Sequence, residues 1–286
     1  MNLFRRKSRA QVSSLPRAVA KISDDLSVSY VDKGRGAPIV FVPGFTFSID
    51  LFIHQLEHFS QDYRFIAIDP RSHGHSSKTL AGNDYPQHGR DLDVFFKKLK
   101  LSEITLVGWS FGALSAWSYA EQFGLDRLKA FVCIDMPPVP MSADEQNGAW
   151  VEGTIADLAA GYHVLLDPSG QRGFMEDYAQ HVMVQRDLSE PELKWIADLS
   201  LQTPTHAVKD LFASGLFSNY LEIAQRLDQQ RPNMFVIANH WAEVATGYIQ
   251  REFPNSQIET LGGHMMFWEH PEQFNARLKK FLVDTV

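Results

Sequence analysis

Apolar residues collect first in short β-like runs at 18–22 and 27–32, then in PIVFV (38–42), which stops at Pro43-Gly44. Beyond that point two periods alternate. IDLFIHQLEHF (49–59) repeats its apolar positions at helical spacing, YRFIAID (63–69) is an apolar run of strand length, and DLDVFFKKLK (91–100) returns to the helical period. EITLVG (103–108) predicts a strand that leads into a helix over FGALSAWSYAEQF, and LKAFVCID (128–135) predicts the next buried strand. Strand signals come back at NMFVIA (233–238) and QIETL (257–261), with helices over AEVATGYIQREF and PEQFNARLKKFL (271–282). Strands this apolar have no face to offer water. Separated by helices, they predict an α/β chain with a mainly parallel sheet covered on both sides, whose chemistry sits at the strands' carboxyl ends.

The alternation breaks after Asp135. MPPVP interrupts it, and the stretch to about residue 230 reads as helix and loop, including TIADLAAGY, FMEDYAQHVM, PELKWIADLSL and NYLEIAQRL. The expected division is a basic, unstructured leader over 1–17, a core formed by 18–136 with 231–286, and a helical cap inserted over 137–230. Neither an internal repeat nor a low-complexity tract is present.

Between the strand over 103–108 and the helix that follows lies Gly108-Trp109-Ser110-Phe111-Gly112, a G-x-S-x-G pattern. A sharp strand-to-helix turn brings backbones together where a Cβ would clash, so the two glycines fit the turn, and Ser110 at its tip is exposed as a nucleophile. The helix start adds a positive dipole end beside any developing negative charge. The competing reading is a serine that only caps the helix. Two further motifs accompany it: VPGF (42–45) after the strand over 38–42, and DPRSHGHS (69–76) after the strand over 63–69.

On these motifs the chain resembles the α/β-hydrolase-fold family over nearly all its length after the leader. The resemblance implies an oxyanion hole made by the backbone N–H groups of Phe45 and Phe111, where main-chain donors tolerate Pro43-Gly44 in place of the more usual His-Gly. DPRSHGHS is similar to the family's D-x-R-G-x-G-x-S turn with Ser72 replacing a glycine, which implies structural roles for Asp69, Arg71 and Gly74 and surface positions for His73 and His75. His264, in LGGHMMFWEHPEQFN, follows two glycines after the last strand and matches the family's catalytic histidine. An imidazole that takes up a proton works best against a carboxylate. In most relatives that acid lies about four residues past the strand over 233–238, and there this chain has Ala242. Two candidates remain open: Asp135, at the end of the preceding strand, where some members of the family carry the acid, and Glu243, one residue past the usual slot. A Ser–His dyad without an acid is the third option.

A serine nucleophile implies acyl transfer, with a carboxylic ester or lactone as the simplest substrate. Phe45, Phe47, Trp109, Phe111 and Met136 cluster in sequence about the expected site, and Trp150, Trp195, Phe212 and Phe217 in the cap are candidates to roof it, although some of these aromatics belong to the core. Trp109, Phe47, Met136, Trp195 and Phe217 are the expected substrate contacts. The same machinery fits a carbon–carbon bond hydrolase, since WEH (268–270) resembles the segment after the histidine in those enzymes, or a perhydrolase, and the fold also serves ligand receptors with weak hydrolysis. His163, His181 and His206 lie in the cap without metal-ligand spacing, so no metal or other cofactor is expected.

Composition narrows the field further. The 286 residues suit one large domain with an insertion, and a formal net charge of −7 supplies no positive field for nucleic acid or anionic membranes. The one cysteine, Cys133, sits in the apolar run AFVCI, as a buried thiol in a reducing cytoplasm would. The leader holds Arg5, Arg6, Lys7, Arg9 and Arg17 without an apolar segment behind them, and no stretch reaches the length of a membrane span. Stable membrane insertion is therefore not expected.

Overall fold

The structure, a computed structural model, describes residues 15–141 and 155–285. Trp150 and the leader up to residue 14 lie outside the described residues. In chain order the elements are β1 (Arg17–Lys21), β2 (Ser27–Lys33), β3 (Pro38–Val42), a 3₁₀ turn (Ile49–Phe52) running into α1 (Ile53–Phe59), β4 (Arg64–Ile68), α2 (Tyr85–Lys98), β5 (Ile104–Trp109), α3 (Phe111–Phe123) and β6 (Leu128–Ile134). There follow α4 (Ile155–Val164), α5 (Pro168–Tyr178) with a π-helical turn (Ala179–Met183), α6 (Glu190–Ser200), α7 (Thr205–Leu216) and α8 (Leu221–Gln230). The chain then returns through β7 (Asn233–Ile237), a 3₁₀ turn (Asn239–Trp241), α9 (Ala242–Glu252), β8 (Gln257–Thr260), α10 (Met266–Glu269) and α11 (Pro271–Thr285).

The strands form one sheet in the order β1-β2-β4-β3-β5-β6-β7-β8, antiparallel for β1–β2 and β2–β4 and parallel from β4 onward. The fold is that of the α/β hydrolases. Side chains alternate between two cores. Val40 and Val42, Leu106, Phe131 and Cys133 face one layer with α2, α3, α8 and α9, whereas Ile39, Phe41, Val107, Trp109, Val132 and Ile134 face α1, α10 and α11. Burial on both faces explains why these strands read as unbroken apolar runs rather than as alternating ones. Among the described residues no helix is long and apolar enough to cross a membrane.

Differences from the sequence expectations have local causes. Arg17, assigned to the leader, opens β1 and is ion-paired with Asp50. Helix α2 starts six residues before the amphipathic stretch, because Asp84 caps it by accepting from the Gln87 N–H at 2.7 Å and Pro86 sits in its first turn. Residues 155–230 are helices joined by short loops, with α7 added to the segments the periodicity singled out.

Parallel pairing aligns the strand ends. Val42 is level with Gly108 and Trp109 with Ile134, so the residues immediately after β3, β5 and β6 emerge side by side at one edge of the sheet. The π-helical turn after α5 and the loop that follows β8 are joined by main-chain bonds. His264 N–H donates to the Val182 carbonyl at 3.0 Å and Met265 N–H to that of Met183 at 2.7 Å.

Candidate active site

Ser110 stands in the turn between β5 and α3 at φ 52° and ψ −134°, a region that L-residues rarely enter. Close packing requires the flanking glycines. A Cβ on Gly108 would lie 2.5 Å from the Ala113 Cα, and one on Gly112 would lie 2.3 Å from the Val42 carbonyl oxygen. The Ser110 N–H donates to Ile134 O at 2.8 Å, and the residue lines a cavity of about 400 Å³. Phe111 opens α3, so its N–H is one of the unpaired donors of a helix start. Gly44, before Phe45, abuts the serine: a Cβ there would come within 2.9 Å of the Ser110 Cβ. Phe45 and Phe111 both line the cavity.

Asp135 follows β6 at φ 53° and His264 follows β8; both line the same cavity as Ser110. The imidazole Nδ1 lies 2.6 Å from Asp135 Oδ2, while Oδ1 accepts the Ala238 N–H at 3.0 Å. A carboxylate accepts, so Nδ1 carries the proton and Nε2 keeps its lone pair for the cavity. The Trp109 indole N–H donates to the His264 carbonyl at 2.8 Å, and the Trp109 and Tyr178 rings flank the imidazole with centroids 5.6 and 5.9 Å away. Glu269 adds a carboxylate behind the histidine loop. It accepts from the Gly263 N–H at 2.8 Å and from the Gln185 N–H of the cap at 2.7 Å.

Glu243 is exposed in the first turn of α9, and the position His264 offers to an acid is filled by Asp135. Of the expected substrate contacts, Phe47, Trp109 and Met136 line the cavity. Two do not. Trp195 stacks on Trp268 with centroids 5.8 Å apart, and Phe217, at the end of α7, is 75% exposed, so neither forms the roof. That surface comes instead from Leu158 and Gly161 on α4, Phe174 and Tyr178 on α5, and Phe212 on α7. Their helical periodicity is legible in the sequence, but the side of the helix that faces the core domain is set by docking. Of the cap histidines only His181 reaches the cavity; His206 bonds the Thr79 carbonyl at 2.9 Å and His163 is exposed.

The turn 69–76 also departs from expectation. Asp69 accepts the N–H groups of Ile49 and His75, and Arg71 makes a two-pronged pair with Asp91 at 2.9 Å on both branches. His75 is exposed, whereas His73, expected at the surface, is 2% exposed and accepts the Thr46 N–H through Nε2 at 3.2 Å. Burial pushes His73 down to about 3 and does the same to its neighbour His88.

A strained serine at a strand-to-helix elbow and an Asp-supported histidine thus line one largely apolar cavity. The family model for the alpha/beta hydrolase fold matches residues 37–158. A putative non-heme chloroperoxidase from Synechocystis sp. is 26% identical over 91% of this chain and 96% of its own length. Among solved structures, a bromoperoxidase from Bacillus anthracis superposes with a TM-score of 0.83 at 21% identity, covering 93% of this chain and 99% of that one. An esterase from Exiguobacterium antarcticum does so at 0.80 and 22% identity, with 93% and 99% covered. The family model and the superposed structures agree with the sheet order: the chain has the α/β-hydrolase fold.

Proposed function

We propose that the protein is a serine hydrolase that cleaves a carboxylic ester or lactone with an apolar acyl or alkyl part. The observation that carries this reading is the bond between His264 Nδ1 and Asp135 Oδ2, two residues that line the same cavity as Ser110. Ser110 Oγ attacks the carbonyl carbon while His264 Nε2 takes the hydroxyl proton. The carbonyl oxygen becomes an oxyanion, which the amides of Phe45 and Phe111 stabilise. Collapse expels the alkoxide, protonated by His264, and leaves an acyl-serine. Water, deprotonated by the same imidazole, then releases the acid. Asp135 orients the ring and stabilises the imidazolium. The rings of Phe45, Phe111, Phe174 and Phe212 favour an apolar substrate part, and Cys133, buried at the end of β6, fits the cytoplasm as its compartment.

A second reading has one observation in its favour, the peroxidase names of several relatives. In it hydrogen peroxide replaces water at the acyl-serine and a peracid leaves. Intact-mass analysis after p-nitrophenyl esters and lactones, with and without peroxide, separates the two. The hydrolase reading expects an acyl adduct at Ser110, its loss in Ser110→Ala, and free acid as the main product. Activity that survives Ser110→Ala, with no labelling by a fluorophosphonate, overturns both.

A further inference from the structure

Thr46, the residue after the proposed oxyanion donor Phe45, is fully buried with φ 64°. A β-branched side chain is seldom found there, and such a conformation persists only where the surroundings over-determine it. Here every polar group of Thr46 has a partner. Its N–H donates to His73 Nε2 at 3.2 Å, and its carbonyl accepts from Thr203 Oγ1 at 3.1 Å. Its hydroxyl donates to the Phe45 carbonyl at 2.6 Å, so the Ser200 hydroxyl, 2.7 Å away, is the donor to Thr46 Oγ1. Gln171 Nε2 in turn bonds the Ser200 carbonyl at 3.2 Å. Thr46, His73, Ser200, Thr203 and Gln171 are each no more than 2% exposed.

The Phe45–Thr46 peptide is thereby held from both sides, its C=O by the threonine hydroxyl and its N–H by His73. The preceding peptide is held too, since Phe47 N–H donates to the Gly44 carbonyl at 3.1 Å. A trans peptide sets its N–H opposite its C=O, so this bond turns the Phe45 N–H away from the loop interior. Two of the partners, Ser200 and Thr203, belong to the cap, and His73 belongs to the core. Its Nδ1–H donates to the Arg71 carbonyl at 2.8 Å, which fixes the tautomer with an accepting Nε2.

We propose that Thr46 is a clamp through which His73 of the core and Ser200 and Thr203 of the cap hold the Phe45 amide in its donating orientation, making these three positioning residues for the oxyanion hole. The proposal rests on the acyl-serine reading. It ties catalysis to the seating of the cap without any cap residue touching the reacting atoms.

The test measures kcat and KM on a p-nitrophenyl ester beside the affinity of phenylboronic acid, whose tetrahedral serine adduct puts an oxygen in the hole. A non-hydrolysable alkyl amide serves as the ground-state control. His73→Phe, Thr203→Val and Ser200→Ala are each expected to lower kcat about tenfold to a hundredfold, less than outright loss of a donor. KM and amide affinity stay within about twofold, and boronate affinity falls in step with kcat. His73→Gln, which keeps an acceptor for the Thr46 N–H, recovers much of the loss. Wild-type kcat in all three variants overturns the clamp, as does a lowered kcat with unchanged boronate affinity. Should His73→Phe fail to fold, Thr203→Val and Ser200→Ala decide alone. If the wild type does not bind the boronate and Ser110→Ala stays active, the acyl-serine reading fails and the clamp falls with it. Ser110-dependent boronate binding that the variants leave intact removes the clamp only.

Discussion

Asp135 and Glu243 are both carboxylates in loops at the correct end of the sheet, and burial and aim separate them. The Asp135 side chain is fully buried, with one oxygen on His264 and the other on the Ala238 amide. Glu243 points into solvent. Replacing Asp135 by Asn keeps the shape but offers Nδ1 a donor, which favours the wrong tautomer and leaves the imidazolium unsupported. Steady-state kinetics on Asp135→Asn should show kcat lowered by a factor on the order of 10³–10⁴, with the circular dichroism spectrum unchanged. Glu243→Gln should stay within about twofold of wild type. The reverse pattern would mean that the bond between Asp135 and His264 does not serve the reaction.

At the scale of elements, α4 contributes Leu158 and Gly161 to the cavity wall, and on the esterase reading it sets acyl-chain length. Gly161 sits within this helix, where Ala would be more favourable by about 1 kcal/mol, and a Cβ there would meet Phe174 at 3.6 Å and Phe212 at 4.0 Å, ordinary contact distances. Space is therefore not what excludes alanine. The glycine lines the cavity beside Phe174 and Phe212, and a larger side chain there would take up cavity space. Gly161→Leu is expected to cut kcat/KM on p-nitrophenyl octanoate at least tenfold while changing the acetate by less than about threefold. Trp195→Ala and Phe217→Ala should leave the chain-length profile as it is, since neither side chain reaches the cavity. A change of profile in Phe217→Ala with none in Gly161→Leu would reverse this assignment.

For the whole molecule the buried imidazoles set an acid limit. His73 and His88 lie 5.5 Å apart between ring centroids, and burial holds both near 3, whereas the unfolded chain titrates them near 6.5. Between about pH 6.5 and 3 the unfolded state takes up protons that the folded state refuses. Stability is therefore full above about pH 6.5 and falls with pH across that window, by at most about 1.4 kcal/mol per pH unit for each histidine. Urea midpoints measured from pH 5 to 6.5, above the main carboxylate range, should decline toward acid. His88 Nε2 has no partner among the described residues, so His88→Gln removes one titrating group without breaking a bond at that atom. It should roughly halve the slope. A midpoint constant over this range would contradict buried neutral imidazoles at 73 and 88.

The sequence by itself determined the sheet, the strand-to-helix elbow at Ser110 and the loop of His264, because each is written in contiguous residues: apolar runs of strand length, glycines where backbones touch, a histidine between Gly-Gly and a helix start. Backbone period and turn chemistry are local properties, and local text carries them. Helix α2 began earlier than its apolar stripe for the same kind of reason, a cap that the stripe does not contain. What only the tertiary structure decided are the meetings of distant residues. Asp135 and His264 are 129 positions apart, and the order of β6, β7 and β8 brings them together while the turn of α9 directs Glu243 outward. Helical spacing announced apolar faces in the cap, yet it was docking over the sheet edge that turned Phe174 and Phe212 inward, left Phe217 in solvent and paired Trp195 with Trp268. His73 reads as one more polar residue in a glycine-containing turn, and burial against the Phe45–Thr46 loop gave it a partner. A chain encodes the shape of each piece in its neighbours along the sequence, whereas the identity of the partner across a site depends on how all the pieces pack.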